Sequence, residues 1–155
     1  MRGPSLTAIA VASGIGLAWI GAGSAGEKST VTHLAAAQVS AAFAKGAPLL
    51  EVEAYKIHAS RREKPGMAEI HEIDTDIIYV LDGAATLITG GTVPDAKTTA
   101  PGEFRGATIQ HGDVRQLVQG DVVVVPNGTP HWFKEVTPPF LYYVVKVASH
   151  AGVKS

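Results

Sequence analysis

Cysteine is absent from the 155 residues. That excludes a disulfide framework, a thiolate nucleophile, an iron–sulfur cluster and every Cys-based zinc site. Charge is scarce too: Asp, Glu, Lys and Arg make up 17% of the chain, 13 Lys+Arg stand against 14 Asp+Glu, and the net charge is −1. Such a balance offers no electrostatic footprint for nucleic acid, and no polybasic run marks a membrane-surface patch. Also missing are Gly-x-Ser-x-Gly, a phosphate-cradling glycine loop and a dinucleotide fingerprint. A hydrophobic fraction of 46% nevertheless argues against a disordered chain, and the length suits about one domain. Any metal has to be held by carboxylates and the six His.

Residues Met1–Ala25 have the layout of a signal peptide. Arg2 supplies a short positive region, Leu6 to Ala12 an apolar heart, and Gly23-Ser24-Ala25 a small-residue cleavage site. Gly14, Gly16, Gly21 and Gly23 make a long helical anchor unfavourable, since each costs about 1 kcal/mol against Ala. The expectation is an exported protein, periplasmic or secreted, whose mature chain has no stable membrane insertion. A linker and helix then occupy residues 26–49, with Thr32 as cap, Leu34, Val39 and Phe43 as the apolar stripe, and Gly46 as the stop after Ala44.

From residue 50 to 148 the pattern changes to short runs rich in Val, Ile and Tyr. Expected strands are Leu50–Ala59, Met67–Ile73, Ile77–Leu81, Ala85–Thr89, Arg115–Val118, Val122–Val125, His131–Val136 and Phe140–Val147. Turn signals separate them, among them Pro65-Gly66, Asp82-Gly83, Gly120-Asp121, Asn127-Gly128 and Pro138-Pro139. Many short strands at regular spacing predict an all-β sandwich or closed barrel. The stretch Gly91–Ala107 reads as a long loop, and a loop of that length in a compact domain is usually functional.

Two clusters carry the chemistry. The first is Glu69-Ile70-His71, followed by Asp76 and Gly83; Glu69 and His71 are two apart and share one face of an extended strand. The second runs from Gly120 through Pro126 and Gly128 to His131, a strand, a tight turn and a His that opens the next strand. This layout resembles the two motifs of the cupin superfamily. The first family motif is His-x-His, three or four residues, Glu, six residues, Gly. Here His71 matches its second His, Asp76 takes the Glu place, Gly83 closes it, and Glu69 stands where the first His belongs. The second motif is Gly, five residues, Pro-x-Gly, two residues, His, three residues, Asn. Gly120, Pro126, Gly128 and His131 match it at full spacing, with Glu135 in the Asn place.

The resemblance implies a single cupin barrel (a double-stranded β-helix of jelly-roll type) with a short amino-terminal helix, and one divalent metal inside it. Carried over position by position, the metal ligands are Glu69, His71, Asp76 and His131. Such a set suits Mn(II) or Fe(II) ahead of Zn(II). If Glu69 is not a ligand it becomes a candidate general base. His58, one strand earlier, is an alternative source of the imidazole missing at position 69. Arg61 and Arg62 form a positive patch near the barrel mouth and could clamp an anionic group. Of Tyr142 and Tyr143 one must face inward, where its hydroxyl would meet a ligand. Glu135 either faces the cavity or pairs with Lys134 or Arg105. His33, His111 and His150 have no such spacing and read as solvated.

Two functions fit. One is a metal-dependent dioxygenase, lyase or isomerase acting on a small oxygen-rich molecule; the other is a non-catalytic module binding a small ligand. An open coordination position separates them. Barrels of this kind commonly pair, so a homodimer is expected from the resemblance.

Overall fold

The computed structural model describes residues 30–149; the expected leader and His150 lie outside them. A single helix, α1 (Ala36–Lys45), precedes nine strands: β1 (Ala47–Glu51), β2 (Tyr55–Arg62), β3 (Ala68–His71), β4 (Asp74–Thr89), β5 (Lys97–Ala100), β6 (Glu103–Gly106), β7 (Asp113–Val118), β8 (Val122–Val125) and β9 (His131–Ala148). All pair antiparallel in one sheet, in the order β1-β2-β9-β3-β6-β5, with β4 bonded to β7, β8 and β9. This is the expected all-β architecture with a short helix in front. Among the described residues no helix is long and apolar enough to cross a membrane.

Helix α1 starts later than expected. Ala35, not Thr32, is its N-cap and makes no side-chain cap bond, while Gly46 ends it in the left-handed region at φ 67°. Phe43 sets its ring edge-on against Tyr143, centroids 4.9 Å apart.

Strand boundaries differ from expectation for identifiable reasons. Leu50–Ala59 is not one strand but the β1–β2 hairpin, in which Glu51 pairs with Lys56. The reversal at Val52–Ala54 is closed by the Val52 amide on the Tyr55 carbonyl at 3.0 Å and contains no Gly or Pro, so it left no turn signal. Conversely, Ile77–Leu81 and Ala85–Thr89 fuse into β4, and His131–Val136 and Phe140–Val147 into β9. Asp82-Gly83 is a bend rather than a reversal. The β4–β9 ladder shifts register on both sides of Asp82, and Gly83 has φ 78° with its backbone against Pro139. The Asp-Gly pair of one strand and the Pro-Pro pair of the other lie opposite each other, so both strands bend together.

The stretch expected as a loop, Gly91–Ala107, folds into the β5–β6 hairpin around Pro101-Gly102. Strand β6 pairs with β3, placing Arg105 opposite Glu69 and Glu103 opposite His71. The apolar core gathers Ile78, Val80, Leu87, Leu117, Phe133 and Phe140 from β4, β7 and β9. Tyr142 and Val144 extend it toward the cavity they line with His71, Asp76 and His131.

Candidate metal centre

Three strands bring the polar groups together. Glu69 and His71 alternate inward on β3, Asp76 sits on the inward face of β4, and His131 opens β9 with its backbone paired to Glu69. The turn that delivers His131 is tied to the first cluster. Gly128 donates its amide to the His71 carbonyl at 2.7 Å, and the Asn127 side chain donates to the Glu72 carbonyl at 3.0 Å. Clusters separated by some sixty residues are thereby held in one register through backbone bonds.

His71, Asp76 and His131 are all buried. One ligand atom from each of Glu69, His71 and His131 lies within 4.8 Å of the others. The Glu69 carboxylate is 3.9 Å from His71 Nε2 and 4.0 Å from His131 Nε2. Both imidazoles are oriented from behind. His71 Nδ1 is 2.5 Å from a Glu103 oxygen, and His131 Nδ1 is 3.2 Å from the Thr129 carbonyl oxygen. Carbonyl and carboxylate oxygens accept, so each Nδ1 donates and each Nε2 is turned inward, toward the other donors. His71 Nε2 is buried with no hydrogen-bond partner, an arrangement that costs about 1–3 kcal/mol unless something binds the lone pair. Burial pushes the His131 pKa down, against the opposing pull of the Asp76 charge, which favours the neutral, ligating ring. A divalent cation fits this donor set.

Asp76 is close to both rings, 3.6 Å from His71 Nε2 and 3.7 Å from His131 Nε2. Its carboxylate is also gripped by Lys146, whose ammonium donates to the two oxygens at 2.7 and 2.9 Å. Lys146 stands directly opposite Asp76 in the β4–β9 ladder. Sequence reasoning missed this lysine because the pairing of β4 with the far end of β9 was not readable. Glu103 and Arg105 were likewise hidden in the supposed loop, although Pro101-Gly102 between two short runs was a hairpin signal. Arg105 bonds Glu69 at 3.1 Å and not Glu135.

The other singled-out residues divide. Tyr142 faces inward, buried, and accepts a hydrogen bond from Arg62 Nε at 2.9 Å, and burial raises its pKa despite the nearby guanidinium. His58 lines the same cavity, but its ring is bonded to Glu51 at 2.8 Å. Arg61 turns to Glu63, its Nε 2.6 Å from the carboxylate, so Arg62 is the arginine of the pair that reaches the site. Glu135 is at a different pocket, where it accepts from the Thr86 hydroxyl at 3.0 Å. The cavity around the donors measures about 260 Å³.

Comparison with known proteins places this geometry in context. The family model described as Cupin matches residues 24–155. Among solved structures, a Bacillus halodurans protein (BH2720) superposes with TM-score 0.54 at 12% identity, covering 84% of this chain and 89% of that one, a likeness of fold. KdgF from Halomonas gives TM-score 0.47 at 17% identity, covering 66% of this chain and 78% of that one. A Klebsiella pneumoniae protein with a double-stranded beta-helix domain gives 0.46 at 18% identity, with 70% and 78% covered. No curated protein matches the chain.

Proposed function

The chain belongs to the cupin family, and from that premise we propose that it is a metal-dependent enzyme acting on a small oxygen-rich molecule, with Glu69, His71 and His131 as the metal ligands. The observation that carries this reading is the buried, unpartnered His71 Nε2 facing the Glu69 carboxylate and the second imidazole. Two His and one carboxylate suit Fe(II) or Mn(II), and also a catalytic Zn(II). When bound, such a cation supplies Lewis acidity to an oxygen of the substrate or, if iron, reactivity toward O2.

The chain's own residues do the rest. Glu103 and the Thr129 carbonyl hold the two rings in the ligating tautomer. Lys146 keeps Asp76 engaged, which leaves a three-donor set with room for substrate; that favours the enzyme over a closed, purely binding site. Arg105 draws the Glu69 carboxylate by an ion pair at 3.1 Å and fixes its rotamer. Phe133, Tyr142 and Val144 wall the cavity and limit water. The reading extends to an exported protein, since the Met1–Ala25 layout is that of a cleaved leader.

Elemental analysis tests it. Protein purified from a metal-replete host should carry about one equivalent of transition metal per chain, and His131→Ala should lose most of it. Full metal content in that variant would rule out the ligand set. An oxygen-uptake screen on the loaded protein then separates dioxygenase from lyase or isomerase chemistry.

A further inference from the structure

Three cationic side chains line the cavity of the candidate metal centre, Arg62, Arg105 and Lys146, against three carboxylates, Glu69, Asp76 and Glu103. Most of these charges are already matched. Arg105 is 3.1 Å from Glu69, Lys146 is 2.7 Å from Asp76, and Glu103 holds His71. Arg62 is the exception: among the described residues it forms no ion pair, and its one hydrogen bond is from Nε to the Tyr142 hydroxyl at 2.9 Å.

This arginine is nonetheless fixed. Its guanidinium carbon lies 4.8 Å from the centroid of the Phe133 ring and 5.9 Å from that of Tyr142, a stacked arrangement that immobilises the group without consuming its donors. Gly66 makes room for it. A Cβ at that position would fall 2.5 Å from Arg62 Nη1, and Gly66 has no positive φ, so its missing side chain is a matter of space and not of backbone conformation. The result is a pre-set guanidinium on a residue that lines the cavity of the metal donors, and among the described residues its two Nη groups, with four N–H donors, form no hydrogen bond.

We propose that Arg62 anchors the carboxylate of a small hydroxy- or oxo-acid, whose second oxygen then faces the Glu69, His71 and His131 donors; this rests on the metal-site reading above. Charge supports it. The cavity's carboxylates and cations balance three against three, so a divalent cation leaves it positive and in need of an anion. Geometry supports it as well, because a planar fork matches a planar carboxylate bidentately. A phosphate dianion would call for a second free cation, and Arg105 and Lys146 are engaged. The volume, about 260 Å³, suits a small acid.

Calorimetric titration of the Mn(II)-loaded, full-length protein with glycolate, lactate and pyruvate tests this, with ethylene glycol and inorganic phosphate as controls. At least one of the three acids should bind, and Arg62→Gln should weaken it about tenfold or more while metal content stays unchanged. Arg62→Lys should recover only part of the loss, since a point charge cannot form the bidentate pair. Tyr142→Phe, which frees Nε but keeps the stacking, should cost only a few-fold. Three results would each overturn the assignment: affinity within twofold of wild type in Arg62→Gln, ethylene glycol binding as well as glycolate, or no binding of any acid. Tighter binding of phosphate than of all three acids would overturn the carboxylate. Wild-type protein that takes up no Mn(II) would instead defeat the metal reading, and the same titrations on that protein would still decide the role of Arg62.

Discussion

At the scale of single residues, the balance around Asp76 decides what kind of site this is. Its carboxylate lies 3.6 and 3.7 Å from the two Nε2 atoms yet is held on both oxygens by Lys146. Removing the ammonium leaves a buried carboxylate without its counter-charge, at a cost on the order of 3 kcal/mol. Lys146→Met should therefore melt well below wild type in the presence of chelator. A cation replaces the missing positive charge, so Mn(II) should stabilise Lys146→Met more than it stabilises wild type. Equal metal-induced shifts in melting temperature for the two proteins would mean that Asp76 is indifferent to what sits between the rings. The same scale explains the degraded first motif. Glu69 in place of the expected His brings an oxygen donor within 4.0 Å of both rings, while His58, which could have substituted, is spent on Glu51.

At the scale of elements, the hairpin β5–β6 does more than cover an edge: it delivers Glu103 to His71 and Arg105 to Glu69. A partner behind a ligating imidazole typically contributes ten- to a hundredfold in metal affinity. Glu103→Gln should thus weaken Mn(II) binding by about tenfold in competition with a chelator, with little change in the fold; unchanged affinity would reduce the hairpin to a cover. The paired bend in β4 and β9 makes a second prediction. A Cβ at Gly83 would sit 2.7 Å from the Pro139 carbonyl oxygen and 2.9 Å from that of Thr137, at φ 78°. Gly120 has φ 93° but nothing within 4 Å. Gly120→Ala should cost about 1 kcal/mol from backbone strain alone, and Gly83→Ala clearly more, because backbone atoms cannot yield. Equal losses in denaturant unfolding would mean that the bend relaxes freely.

Elements also show where the sequence could and could not be read. Runs rich in Val, Ile and Tyr between turn residues located the strands other than β5 and β6, with β1 and β2 merged into one, and the spacing from Gly120 to His131 located the tight turn because that turn depends on its own residues. Asp82-Gly83 and Pro138-Pro139 were misread as reversals because each pair has the chemistry of a turn, and only the partner strand makes it a bend. Lys146 was not visible as a site residue, and nothing local told Arg62 from Arg61 within their positive patch, for a related reason. Their contacts, to Asp76 and Tyr142, are cross-strand and separated by 70 and 80 positions. Local pattern carries no register of that range.

At the scale of the whole molecule, the sheet acts as a frame that places two imidazoles and a carboxylate from β3 and β9 around one point and backs each ring with a hydrogen bond. Pulsed electron paramagnetic resonance of the Mn(II)-loaded protein tests that most directly, because imidazole nitrogens bound to the ion modulate its spin echo. Nitrogen modulation is expected in the wild type, reduced in His71→Ala and in His131→Ala. An ion surrounded only by water protons, with no nitrogen coupling in the wild type, would contradict it.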